Sequence, residues 1–472
     1  MTKYIEYFQV EAKCLLKDFK KNLPEAKSRC EAYFSGKNDL SLMNTQHVIA
    51  KEYGFDSWND LIKQEPHKLA ESLIIAKNKT LNSPFKLWHG GRIVTGYEEK
   101  KYQLHKPDAY HLEYDAQKKT FIHRNLKNDV LEFVSFEHLD VSEYDLSGLN
   151  PLNVRYSEDT KWPEAPTKLP LGFNPKEFLE SRKNPGLGIK TLHKLGIKGQ
   201  GRNIAIISSF RLFNHIEYHN SLKGYEEIGF DATNLGGGSN VGAVSAVTGK
   251  TCGIAPLANV YYYAVDIQQT SEKPRGSQVN YALAIKKVCE LHKKLISEGK
   301  NGIDVIHIQG AISLDLFSAD DGYEDALNAR KEAEDLGIWC NFGGVLDFKE
   351  NTKLRIGHIY CKLDGNVDNT DDYISIRNPS SKFKLVDYYE NTLCFPTGAK
   401  TVALGVKMDE YAFEHLSGPY STLLASAFYL LAKSVKETII PYEFFELGLK
   451  TGDFREGIGT IINPVALIES LK

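Results

Sequence analysis

A few serine, histidine, acidic and glycine residues are of types that do chemistry, and their spacing decides which chemistry. Ser208 and Ser209 end the apolar run "RNIAIISS", His215 and His219 follow, His307 lies in "IDVIHIQG", and Ser421 stands in "LSGPYSTLLASAFYLL". A serine beside an imidazole is the pairing of nucleophilic catalysis, in which the imidazole takes the hydroxyl proton as the oxygen attacks. Serine at a strand end or in the first turn of a helix serves the backbone equally well, as a local hydrogen-bonding group or a cap. The glycines of "LGGGSNVGAVSAVTGKTCGIAP" raise a second chemistry, phosphate binding by backbone N–H groups. No Lys-Ser/Thr pair follows them as in a P-loop, and "SFRLFNH" replaces the G-x-G-x-x-G of a dinucleotide site. Asp364, Asp368 and Asp371 in "LDGNVDNTDDY", with a second acidic stretch "DLFSADDGYED", supply oxygen ligands that suit calcium, although neither is an EF-hand loop.

These residues need elements to position them. From residue 184 onward, "RNIAIISS", "ANVYYYAV", "IDVIHIQG", "GIWCNF" and "KTVALGV" are short apolar runs suited to strands buried on both faces. Between them, Tyr281, Ile285, Val288, His292 and Leu295 recur at helical spacing after Ser277, and "YEDALNARKEAEDLG" ends on a glycine stop. The alternation predicts an α/β domain over 184–472, with a mainly parallel sheet and helices on both faces. Residues 1–80 read as a small helical module, in which Gly54 closes one helix, Ser57 caps the next, and Val48, Ile49, Tyr53, Phe55, Trp58 and Leu61 are the apolar set. Residues 81–160 hold β-branched and aromatic runs such as "KTFIHRN" and "VLEFVSFEHL", predicting a small β-rich domain, and the prolines of 161–183 suggest a stiff linker. Within the α/β domain, 345–393 reads as an insert whose "RIGHIYCKL", "DYISIRN" and "KFKLVDYY" form strands that cover or remodel the site.

Composition narrows the classes of function. In 472 residues, 42% hydrophobic and 25% charged content is that of an ordinary globular chain, long enough for more than one core. A net charge of −3 gives no electrostatic reason to expect nucleic acid or an anionic membrane. No apolar stretch has the length of a membrane span or signal peptide, and seven cysteines without CxxC pairs argue against a disulfide framework or zinc knuckle. The expected compartment is the cytoplasm of a bacterium.

Six segments, in order, resemble the subtilisin-like serine peptidase (subtilase) family. "GQGRNIAIISSFRLFNHIEY" resembles the family's first strand with its catalytic Asp. "GGGSNVGAVSAVTGKTCGIAPLANVYYYAV" resembles the H-G-T-H-V-A-G helix and the G-V-A-P turn, and "DVIHIQGAIS" the D-V-I-N-M-S-L-G strand. "CFPTGAKTVALGV", "LSGPYSTLLASAFYLLAKS" and "GIGTIINPVALIESL" are similar to the three closing motifs. At the front, "AKEYGFDSWNDL" resembles a helical module of glyoxalase-related proteins, which implies no chemistry.

The resemblance places the family's Asp on Ser208, its His on Gly237 with Asn240 at the motif's second His, its oxyanion Asn near Gly344, and its nucleophile on Gly418, with a slip of register moving the last to Tyr420 or Ser421. Apart from Ser421, none of these supplies a base or a nucleophile. The implied reading is a pseudoprotease: catalytically inactive, binding protein or peptide as a sensor, scaffold or regulatory subunit, with no cofactor unless calcium. Gln309, Gly310, Asn341 and Gly343 are its cleft candidates. The alternative is an active serine endopeptidase with a rewired site, in which Ser421 attacks and His215 or His307 is the displaced base.

Overall fold

Local signals set the first helices. The computed structural model describes residues 3–65 except 32, 35 and 38, then 69, 112–115, 120–123, 134–149, 151–212, 215–230, 240–267, 277–309, 322–342, 345–349, 352–374, 391–398, 400–404, 409–414 and 418–472. Contacts divide the chain into two units, and residues 3–69 belong to the first. It holds α1 (Lys3–Lys20), α2 (Pro24–Glu31), α3 (Leu42–Glu52) and α4 (Trp58–Leu61). Phe8, Ala12, Leu15 and Phe19 recur every three or four residues along α1, giving one apolar face that packs with Val48, Ile49 and Leu61. Ser41 and Asn44 cap α3 reciprocally, and the Ser57 hydroxyl accepts from the Asp60 N–H at 3.1 Å to start α4. Gly54, at φ +86°, takes the left-handed conformation that ends α3.

The second unit is an α/β domain. Five strands form its main sheet: β5 (Asn203–Ser208), β6 (Leu222–Ile228), β7 (Asn259–Val265), β8 (Val305–Gln309) and β9 (Trp339–Asn341), in spatial order β6-β7-β5-β8-β9. β7, β5, β8 and β9 pair in parallel. Every residue of β5 is buried, as an uninterrupted apolar run in a parallel sheet requires. Helices α7 (Val241–Thr248), α8 (Val279–Ser297), α9 (Tyr323–Asp335) and α10 (Gly418–Val435) pack as two pairs, α8 with α9 and α7 with α10. The small faces of α7, "VGAVSAVT", are buried almost throughout, a packing role for the run after the glycines.

A second sheet takes in the insert. β10 (Val345–Lys349) and β11 (Thr352–Cys361) form a hairpin, β12 (Tyr373–Ile374) pairs antiparallel with β11, and β11 runs parallel to β13 (Thr392–Gly398). The expected "RIGHIYCKL" strand is present in β11 and the start of "DYISIRN" in β12, while the rest of that run and "KFKLVDYY" lie outside the described residues. β16 (Asp453–Arg455) and β17 (Gly459–Ile461) complete this sheet beside β13.

A third sheet orders β3 (Val134–Ser135), β4 (Val154–Ser157), β15 (Tyr411–Glu414) and β14 (Lys400–Ala403). Residues 134–157 thus share a sheet with residues 400–414. Phe136, Tyr156, Phe173, Phe178 and Phe413 form its core, with ring pairs 4.9–6.2 Å apart. The remaining elements are the hairpin β1 (Leu112–Asp115) and β2 (Thr120–His123), with helices α5 (Pro175–Ser181), α6 (Ile189–Lys194), α11 (Pro441–Thr451) and α12 (Pro464–Ser470).

Candidate functional site at the carboxyl ends of the parallel strands

Register gathers the polar side chains. Ser208, the last residue of β5, pairs with Gln309, the last of β8, so both project from one face of the sheet. One row back, Ile206 pairs with Tyr262 and His307, and His307 pairs with Asn341. α10 covers this face: the Asn341 amide donates to the Thr422 carbonyl at 2.6 Å and the Ser426 hydroxyl at 2.8 Å. Asn341 is thereby committed to holding α10 on β9 and does not aim a donor at substrate.

The front row is a neutral network. The Ser208 hydroxyl donates to Gln309 Oε1 at 3.1 Å and accepts the Phe210 N–H at 3.2 Å. Asn240, at the N-cap of α7, donates its amide to the same Gln309 oxygen. The Tyr262 hydroxyl donates to the Phe210 carbonyl at 2.7 Å. The group is an arrangement of amides and hydroxyls that can both donate and accept, without a formal charge.

Of the residues singled out from sequence, the structure brings Ser208, Asn240 and Gln309 together and places Asn341 behind them. Gly418 is the first residue of α10, and Ser421 lies in its first turn, 2% exposed. Gly237, Gly310, Gly343 and Gly344 lie outside the described residues.

Neither proposed base is poised for proton transfer. His215 Nε2 donates to the Glu410 carbonyl at 3.0 Å, and its Nδ1 accepts the Glu217 N–H at 3.2 Å. Both nitrogens are engaged with backbone, and burial pushes the imidazole below its ordinary value. His307 is fully buried, neither ring nitrogen has a hydrogen-bond partner among the described residues, and burial pushes its pKa down to about 3. The acidic loop is likewise occupied: Asp368 accepts from the Gly188 N–H and the Asn184 amide, and Asp371 pairs with Arg455.

Sequence patterning did not reveal Glu217. Its carboxylate is 4% exposed and accepts from the Thr251 N–H at 2.8 Å, the Cys252 N–H at 3.2 Å and the Tyr411 hydroxyl at 2.6 Å. Burial alone would raise its pKa; the Tyr411 hydroxyl and the two N–H groups outweigh it and hold the carboxyl below its usual value. Glu217 thus ties the turn after α7 to β15. Replacing it with alanine leaves those donors unpaired and is expected to cost on the order of 3 kcal/mol in urea denaturation at pH 7. A loss under about 0.5 kcal/mol would refute that role.

A scan against protein-family models and a search of curated proteins both find no match. Solved structures do match. The prenylagaramide maturation protease PagA shares 15% identity at a TM-score of 0.39, over 60% of this chain and 99% of its own. A protease from Pseudoalteromonas arctica shares 15% at 0.41, over 63% and 99%. The serine protease MycP1 of the type VII secretion system shares 14% at 0.38, over 61% and 89%. The similarity is one of fold. These structures are described as proteases, and nothing among the described residues shows inactivity. The expectation that the chain is a pseudoprotease and not an enzyme is corrected accordingly.

Proposed function

We propose that this chain is a subtilisin-like serine peptidase acting on polypeptide, with the Ser421 hydroxyl as the attacking group. The observation that carries the reading is the position of Ser421 in the first turn of α10, on the helix that packs over β8 and β9. A helix N-terminus favours the negative charge that grows on an attacked carbonyl oxygen. Ser208, Asn240 and Gln309, gathered at the carboxyl ends of β5 and β8, are of the chemical kind that pairs with the N–H and C=O groups of an extended peptide.

Two features set the expected rate. Ser421 is 2% exposed, so reaction waits on opening of the start of α10 and is slow. The hydroxyl proton passes to solvent water that enters with the substrate, because the His215 nitrogens bind backbone and His307 is sealed in the core. An attack that lacks a well-placed base is slower by roughly 10²–10⁴-fold than one that has it. Slow cleavage of an unfolded polypeptide by the wild-type chain, reduced at least about 100-fold in Ser421→Ala at unchanged melting temperature, is the expected result. Equal cleavage by both proteins, or none by either, would sink the proposal.

A further inference from the structure

We propose that His138, Asp159 and Glu410 form a site for one divalent transition-metal ion, with Zn²⁺ the ion whose preferences fit best. The three come from separate stretches that strand pairing brings together. Asp159 lies two residues beyond Ser157 of β4, and Glu410 two residues before Ala412 of β15, and Ser157 and Ala412 are antiparallel partners. His138 follows β3, which pairs with the other edge of β4. One imidazole nitrogen and two carboxylates therefore meet at one end of the sheet.

The distances suit an ion. His138 Nδ1 is 2.9 Å from both Asp159 oxygens and 3.7 Å from Glu410 Oε1, and the candidate ligand atoms all lie within 4.8 Å of one another. Around a tetrahedral ion with bonds of about 2.0–2.2 Å, ligand atoms sit about 3.3–3.6 Å apart, so small side-chain shifts close the shell. Two carboxylates balance the ion's charge and the neutral imidazole adds the nitrogen that favours zinc over calcium or magnesium. Glu410 is 2% exposed while the Asp159 side chain is 29% exposed, which leaves one open side for entry and for a water as fourth ligand. The Asp159 carboxylate is already oriented: the Ser157 hydroxyl donates to it at 2.6 Å and itself accepts the His138 N–H at 3.0 Å.

The same distances also fit hydrogen bonds between the imidazole and the carboxylates with no ion present, and titration with the metal separates the two arrangements. The full-length chain, stripped with a chelator, is titrated with Zn²⁺ alone, following heat of binding and melting temperature in wild type, Asp159→Asn and His138→Asn. Asparagine tolerates the left-handed backbone of residue 138, at φ +57°. Other zinc-binding side chains contribute equally to all three proteins. Wild type is expected to take up one equivalent more than either variant, with a melting-temperature rise of a few degrees that both variants lack. Equal uptake and equal shifts in all three, or no uptake by wild type, would overturn the site. Should a variant fail to fold, Co²⁺ added to wild type decides: the visible bands of a four-coordinate nitrogen and oxygen site support it, and their absence overturns it.

Discussion

Replacing His307 with leucine is expected to remove about 2 kcal/mol of the destabilisation that wild type suffers between pH 7 and pH 5. A histidine in the unfolded chain titrates near 6.5, whereas burial in the core pushes His307 down to about 3. Between those values the unfolded chain binds a proton that the native chain refuses. Stability therefore falls as pH drops below about 6.5, and the fall levels off only near pH 3. At pH 5 the gap is about 1.5 pH units, or about 2 kcal/mol. His215 is also held below its ordinary value by burial, so wild type carries more than one acid-sensitive group. The difference between wild type and His307→Leu isolates one of them. Urea denaturation of both proteins at pH 7 and pH 5 measures it. An identical pH dependence in the two would show that His307 is protonated in the native state or reaches solvent.

A larger loss is expected from Gly398→Ala. Gly398 closes β13 and pairs with Tyr360 of β11, and a Cβ there would fall inside the Tyr360 ring. Tyr360 is itself buried, with its ring edge-on to His358, so it has little room to swing away. Overpacking of this kind costs about 3 kcal/mol when neither partner can yield. The cause is separable from a general intolerance of the strand. In a Tyr360→Ala background the space is empty, and adding Gly398→Ala should then cost less than about 1 kcal/mol. Equal costs in the two backgrounds would mean that the glycine is needed for its backbone and not for the ring above it.

The contrast between these two residues shows what the chain discloses on its own. His307 sits in "IDVIHIQG", and an apolar run with no alternation already requires a strand covered on both sides, so its burial follows from the pattern. The same logic made β5, β7 and β9 legible. Gly398 carries no such signal, because its partner comes from a strand that joins β13 in parallel, and parallel pairing across an intervening loop leaves no local mark. Prolines at 163, 166, 170 and 175 signal irregular backbone, yet they say nothing of Phe173 and Phe178 between and after them, which enter an aromatic core with Phe413.

The site was half legible. Ser208, Asn240 and Gln309 could be named from motif order; register then pairs Ser208 with Gln309, and the N-cap of α7 brings the Asn240 amide to Gln309. Glu217 could not, because a single acid among mixed residues has no periodicity, and its partners Thr251, Cys252 and Tyr411 are distant in the chain. The Ser421 hydroxyl was visible as a residue type, but its burial depends on how α10 packs and on nothing in its neighbourhood of sequence.

The most direct measurement is mass spectrometry of the intact chain after long exposure to a fluorophosphonate, with the modified peptide sequenced. A single adduct on Ser421, formed slowly and absent from heat-denatured protein, is the expected result. An adduct on another serine, or an unmodified Ser421 after exhaustive exposure, would contradict it.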